Sequence, residues 1–372
     1  MKTIYDVVKA KEIGVYYDEM NKERAPYLGE TLFPDAKKLG LDLKWIKGSK
    51  GLPVALKSSA FDAKAEIRDR IGFSEVNTEM PFFKESMLIK ESDRQELNKL
   101  LGNPANQPYI DLIVKNIFDD VANLVEGADV QFERMRMQLL SDGKISIKGK
   151  DVNGIEKALD YDYGLDEAQK VSTDWSQPNA DILGDIIKWM DDAEARNGAR
   201  PTRAICNSST FAYIVKNEAI RSAIKGLLPE VPITREKVKR YIQEELELTI
   251  EIYSKKYKSE AGVVTNYFKD NIFTLLPAGT LGNTWMGTTP EESDLMSGAT
   301  DAEVSIVRQG VAITTTKETD PVNVKTKVSV ITLPSFERAD EIVIATVNSD
   351  DIMYTAKVGG AKVGKSKVGK LK

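Results

Sequence analysis

The residues best placed to do chemistry are Gly359-Gly360-Ala361-Lys362-Val363-Gly364-Lys365-Ser366, which satisfy G-x-x-x-x-G-K-[ST]. That pattern cradles phosphates when it follows a strand and opens a helix whose N-terminus faces the anion. Only six residues follow Ser366, too few for that helix. The match arises from a repeat of period five, Lys357-Val358-Gly359, Lys362-Val363-Gly364 and Lys367-Val368-Gly369. Three carboxylate pairs, Asp119-Asp120, Asp191-Asp192 and Asp350-Asp351, are the next candidates. Adjacent residues on a helix do not share a face, and none of the pairs has the spacing of a calcium loop, so they read as solvated surface. Cys206 sits among apolar residues of a predicted strand and reads as a buried, inert thiol. Histidine is absent from the sequence. That removes the commonest general base and the commonest metal ligand, and with one cysteine the usual zinc sites are excluded. No catalytic, cofactor-binding or metal residue is assigned, no cofactor is expected, and the chain is read as a non-enzyme.

Those residues sit in a chain of 372, with 41% hydrophobic and 29% charged side chains, ordinary for a globular protein with a sizeable core. The length suggests two or three domains. No apolar run approaches a membrane span, and the opening residues MKTIYDVVKAKEIG carry charges throughout, unlike a secretory signal. A single cysteine excludes an internal disulfide framework and fits a reducing compartment. Net charge is −5 but uneven: from Thr355 onward the only charged side chains are six lysines. Without those six, 46 of the 52 basic residues remain against 57 acidic ones, a charge of −11 for the rest. Binding to phosphates needs clustered Lys or Arg, which that acidic body lacks. The six lysines suit nucleic acid, an acidic partner surface or plain solubility.

The strongest element is Ile110 to Leu140. Apolar residues recur at Ile110, Val114, Ile117, Val121, Leu124, Ala128, Phe132, Met135 and Leu139, the period of one helical face. Lys115, Asp119, Asn123, Glu126, Glu133 and Arg136 fall outside the stripe. Before this strut, residues 1–30 begin with a short helical stretch and then read as a polar, extended arm that gains stability by lying on a partner. From Leu41 to Ile89 the pattern is strand-like but poor in apolar residues. A long two-stranded excursion fits, supported by a neighbour because an isolated hairpin is marginal. A short helix runs from Glu91-Ser92-Asp93 to Gly102-Asn103-Pro104.

Beyond the strut, Ile145–Lys148 and a strand ending at Tyr161 flank the turn signal Asn153-Gly154. Residues 175 to 280 alternate helices and strands, a mixed α/β unit. Gly279 to Ala302 reads as a long loop, followed by strands at Val304–Lys317, Val322–Leu333 and Glu341–Val347.

In that order several stretches resemble the major capsid proteins of tailed phages with the Hong Kong 97-type fold, and among them the lambda-like major head protein (protein E) family. They are Tyr27 to Pro34, Met80 to Glu85, Leu139 to Gly149, Tyr161 to Gly164, Trp175-Ser176, Asp181-Ile182, Phe273 to Gly282 and Pro334 to Val347. The resemblance spans about residues 25 to 348, and the lysine-glycine tail departs from it. It implies an α+β capsid fold: an N-terminal arm (1–40), an extended β-hairpin loop (41–95), a peripheral domain (96–174 and 335–348) with a spine helix at 110–140, an axial α/β domain (175–334) and a flexible tail (349–372). The spine is expected to pack on the hairpin at Ile145–Tyr161 and the strand at Ile342–Val347.

The resemblance further implies a structural protein without catalysis. Copies would assemble as pentamers and hexamers into an icosahedral virion shell in the host bacterial cytoplasm. Its partners would be itself, scaffold, portal and decoration proteins, and packaged double-stranded DNA held non-specifically, with no membrane. An encapsulin-like nanocompartment shell and a nucleotide hydrolase using residues 359–366 are the competing readings. Deleting residues 355–372 is expected to leave nucleotide binding unchanged at background in equilibrium dialysis; binding that vanishes with the deletion would restore the hydrolase.

Overall fold

The computed structural model describes residues 9–22, 24–47, 74–89, 107–150, 156–226, 232–260, 262–298, 303–307, 310–319 and 322–348, with the single residues 91, 95 and 99. Helix α1 (Ala10–Asn21) and the one-turn helix α2 (Leu28–Leu32) lead into strand β1 (Asp35–Lys37). Strands β2 (Asp42–Lys47) and β3 (Ser74–Glu79) pair antiparallel, from Asp42 opposite Glu79 to Lys47 opposite Ser74. Strand β4 (Phe82–Ile89) follows. The strut is helix α3 (Gln107–Asp142), 36 residues and about 54 Å long. It ends at Gly143, whose φ of 70° suits a helix C-terminus.

Strands β5 (Lys144–Lys150) and β6 (Glu156–Asp162) form the expected hairpin, and β7 (Lys170–Ser172) comes next. Helix α4 (Ile182–Asn197) starts where Asp181 accepts from Gly184 N–H and stops at the left-handed Gly198, as the sequence signals require. Then come β8 (Arg203–Cys206), α5 (Ser208–Lys216), α6 (Glu218–Lys225), α7 (Arg235–Leu246) and β9 (Thr249–Ile252). Asn207, Asn217 and Thr234 cap the three helices by accepting from the N–H two or three residues into each. A short hairpin, β10 (Lys256–Lys258) and β11 (Val264–Asn266), precedes β12 (Ile272–Leu276). The chain continues through β13 (Thr284–Met286), α8 (Pro290–Ser297), β14 (Glu303–Val307), β15 (Val311–Thr319), β16 (Val322–Pro334) and β17 (Val343–Thr346).

Contacts group the chain into two compact units. The first draws its described residues from Met1–Gly48, Arg70–Met137 and Gly279–Arg338. Its sheet runs β1-β13-β16-β15-β14, with β4 also paired to β16. Strand β16 is the hub. Residues 324–331 lie between β15 and β4, and residues 332–334 pair with β13. Helix α1 packs on β14, close enough that a Cβ at Gly14 would sit 3.0 Å from Val307 Cγ2.

The second unit takes its described residues from Gln138–Ala278 and from Ala339 onward. Its mixed sheet runs β7-β17-β12-β8-β9. Helices α4 to α7 cover it with Ile186, Trp189, Phe211, Ile214, Ile220, Val238 and Ile242. Trp175 anchors this core: it stacks on Trp189 with centroids 5.6 Å apart, meets Phe273 edge-on at 5.2 Å, and donates its N–H to Asp185 at 2.9 Å.

Three expectations need correction. Residues 1–40 are not an extended arm among the described residues: α1 buries Ala10, Ile13 and Tyr17, spaced three and four apart, and so packs on its own chain. The segment Gly279–Ala302 contains β13 and α8, because Thr289 caps a helix with Pro290 in its first turn. Val304–Lys317 is two strands, broken around Gly310 at φ 102°. Strands β13 to β16 share a sheet with β1 and β4. Strand pieces at 54–56 and 63–67, most of the 91–101 helix, the Asn153-Gly154 turn and residues 349–372, with the phosphate-loop match, lie outside the described residues.

Val121 on α3 is 2% exposed. Val121→Asp would bury a carboxylate with no partner, so the purified variant is expected to show no cooperative thermal transition; a wild-type midpoint would contradict this placement.

Candidate functional site

The groups that concentrate charge inside the first unit lie on the side of α3 that the hydrophobic stripe leaves out. Asp119, Glu126, Asp129, Glu133 and Arg136 follow one another at helical spacing, and the last three are at most 4% exposed. The N-terminal segment covers them except Glu126, which stays exposed. Tyr16 donates its hydroxyl to Asp119 and Tyr17 donates to Asp129. Arg24 Nη1 lies 3.3 Å from Asp129 and 3.8 Å from Glu126, with its guanidinium 4.4 Å above the Tyr27 ring. Burial works against the Arg24 charge, but Tyr27, Asp129 and Glu126 outweigh it and raise its pKa. Between these groups lies a hollow of about 260 Å³ lined by Tyr17, Lys22, Arg24, Tyr27, Glu30 and Asp129.

Further along, the backbone itself docks. Gly29 N–H donates to Glu133 Oε1 at 3.1 Å, and a Cβ at Gly29 would come within 2.3 Å of Glu133 Oε2 and 2.7 Å of Arg136 Cδ. Only glycine permits this approach. Arg136 donates from Nη2 to Asp35 Oδ1 at 2.6 Å and from Nε to Thr284 Oγ1 at 2.8 Å. Thr284 in turn donates to the Phe33 carbonyl at 2.9 Å. One buried guanidinium thus ties the spine helix to β1 and β13. Phe33 closes the cluster edge-on against Phe336, centroids 5.5 Å apart.

A second clamp holds α8. Lys37 Nζ meets Glu292 Oε2 at 2.5 Å and the Gly287 carbonyl at 3.0 Å, and Lys327 pairs with Glu291. Burial pushes Glu291 up, yet Lys327 outweighs it and its pKa is lowered. The two neighbouring glutamates therefore bind lysines from two strands, β1 and β16. At the other end of α3 the contacts are to the second unit's own elements. Gln138 exchanges hydrogen bonds with the Ser146 backbone on β5, and Thr274 on β12 donates to the Leu140 carbonyl at 2.7 Å. The hairpin is met at this end as expected, and so is β12, the neighbour of β17.

The residues singled out for chemistry are scattered. Cys206 is fully buried in β8, and burial pushes its thiol far above the ordinary range. Asp119 is engaged by Tyr16 and Asp191 pairs with Arg200 at 2.5 Å, so these two are not simply solvated, while Asp120 and Asp192 are exposed. Among the described residues no group of acidic, histidine or cysteine side chains could hold a metal ion, and no helix is long and apolar enough to cross a membrane. The arrangement fixes an N-terminal strap to a helix.

A family profile described as phage major capsid protein E matches residues 15–347. No curated protein matches the sequence. Among solved structures, the chain is similar to a prophage capsid protein from E. coli CFT073, at 13% identity and a TM-score of 0.57, covering 91% of this chain and 99% of that one. It is also similar to a phage-related protein from Bordetella bronchiseptica RB50, at 11% identity and a TM-score of 0.53, covering 91% and 97%.

Removing the Arg136 side chain takes the guanidinium partner from the buried Glu133 and the half-buried Asp35, a loss of about 3–5 kcal/mol. Arg136→Ala is expected to lower the urea midpoint of the subunit accordingly, whereas Arg200→Ala, at an exposed pair, should change it by less than about 1 kcal/mol.

Proposed function

The chain belongs to the phage major capsid protein E family, and from that premise we propose how it builds a particle. It is a structural protein of a self-assembling capsid shell with the Hong Kong 97-type fold. The observation that carries this is the family match, which runs unbroken from α1 to β17. In the proposed particle the copies form pentamers and hexamers that close an icosahedral shell around the double-stranded DNA of a phage or prophage. Assembly takes place in the host bacterial cytoplasm, with scaffold, portal and decoration proteins as further partners.

The mixed sheet of the second unit, with helices α4 to α7, supplies the axial domain at the capsomer centre. The spine helix and the β16 sheet supply the peripheral domain; the shared sheet of β1, β4 and β13 to β16 supports drawing the boundary near residue 279. Strands β2 and β3 form the base of an extension that reaches a neighbouring copy. The acidic body holds DNA without adhering to it, and a strongly basic inner shell surface would contradict this.

Negative-stain microscopy of the purified full chain tests the reading. Uniform shells, rings or tubes are expected. A clean monomer under all conditions would overturn it, and shells filled with a protein cargo and free of nucleic acid would move it to a nanocompartment.

A further inference from the structure

Two apolar side chains stand exposed side by side at the turn of the β10–β11 hairpin: Val263 is 59% and Val264 is 64% exposed. The turn that presents them is hydrogen-bonded. Ser259 N–H donates to the Val263 carbonyl at 2.8 Å, Gly262 N–H to the Ser259 carbonyl at 2.8 Å, and Val263 N–H to Ser259 Oγ at 3.2 Å. Gly262 takes a φ of 78° that a side chain would oppose.

The register divides the hairpin into two faces. Lys256 lies opposite Asn266, Tyr257 opposite Thr265, and Lys258 opposite Val264. Tyr257 rests on Tyr267 with centroids 4.8 Å apart, and the buried Tyr267 lies 6.3 Å from the buried Tyr253. This aromatic row pins one face to the second unit. Alternation puts Lys256, Lys258 and Val264 on the other. Nearby charges are already taken: Lys269 meets Asp142 at 2.6 Å, and Asp270 accepts from Asn207, Ser209 and Asn266. Lys256 and Lys258 are exposed and meet no carboxylate among the described residues.

We infer that this hairpin is a docking element that seats on a second copy of the chain, its valines in an apolar notch and Lys256 and Lys258 against the neighbour's carboxylates. The inference rests on the shell reading above. Charge selects the occupant, because outside the six lysines after Thr355 the chain carries −11, so a neighbouring copy offers acidic surface to a basic stem. The tip argues against duplex DNA, since phosphates reward cations and leave two exposed valines in water. Burying that pair against protein removes the apolar surface from solvent.

The chain's only cysteine is buried, so Val264→Cys supplies a single reactive thiol. Maleimide labelling of that variant is expected to be about tenfold or more slower in assembled shells than in dispersed subunits, as for a side chain at the centre of a contact. The double variant Lys256→Glu/Lys258→Glu is expected to keep the wild-type far-UV spectrum while its shell yield falls about tenfold, because like charges would face each other. Equal labelling rates in shells and subunits, or shells from the double variant in wild-type yield, would overturn the docking. A double variant that assembles normally but loses bound duplex DNA would overturn it by assigning the stem to DNA. Wild-type chains that form no particles would instead remove the shell reading itself.

Discussion

A guanidinium cannot be taken out of water without partners, and the first unit is arranged around meeting that demand for Arg136. The side chain is 2% exposed. Its partners come from three separate stretches: Asp35 after the N-terminal helices, Glu133 one turn earlier on the spine, and Thr284 on β13. Apart from Glu133, these partners reach it only when segments far apart in sequence have met. Non-local contacts of this sort carry a loop-closure cost before they return anything. They also leave little tolerance, since a misplaced strap would strand charges in a dry interior. The bare backbone at Gly29 belongs to the same constraint: the strap approaches so closely that no side chain fits between it and the helix.

The charge on α3 also explains why the helix has two sealed sides. Near its start it is half exposed, with Tyr109 and Leu112 in solvent; from Ala128 onward nearly every residue is buried or half-buried. An amphipathic helix needs one covered face. Here the apolar stripe is covered from Ala128 onward, and Asp129 and Glu133 of the acidic strip are too, by a tyrosine hydroxyl, an arginine and a backbone N–H. The helix serves as a core strut and as the rail on which the N-terminal segment is held.

Periodicity made the large elements legible. The spine's apolar stripe, the capping signals at Asp181 and Gly198, and the alternation in residues 175 to 280 each reflect short-range chemistry that survives into the fold. The resemblance to the capsid family rested on the order of those elements. The strap was less legible because its cues are weak one at a time. Ala10, Ile13 and Tyr17 have helical spacing, yet the charged residues between them suggested a solvated arm. The polar residues on α3 read as a wet face, since polarity alone does not reveal whether a tyrosine or water will donate to them. Their spacing, seven, three, four and three residues apart from Asp119 to Arg136, was the available signal. Which sheet the strands after Gly279 join was less legible for a different reason: sheet partners drawn from residues 35–37 and 82–89 are set by topology, which local pattern does not encode.

The pairing of β4 with β16 has a mechanical meaning. Eight consecutive residue pairs, from Phe82 opposite Ile331 to Ile89 opposite Val324, join the strand that follows the β2–β3 pair to the hub of the sheet. A pull directed along β4 stretches that whole ladder in shear. The bonds then resist together, whereas a pull across the strand would open them one after another from an end. A strand pair tethered in this way can transmit in-plane tension into the sheet without peeling, and its attachment yields as a unit or holds as a unit.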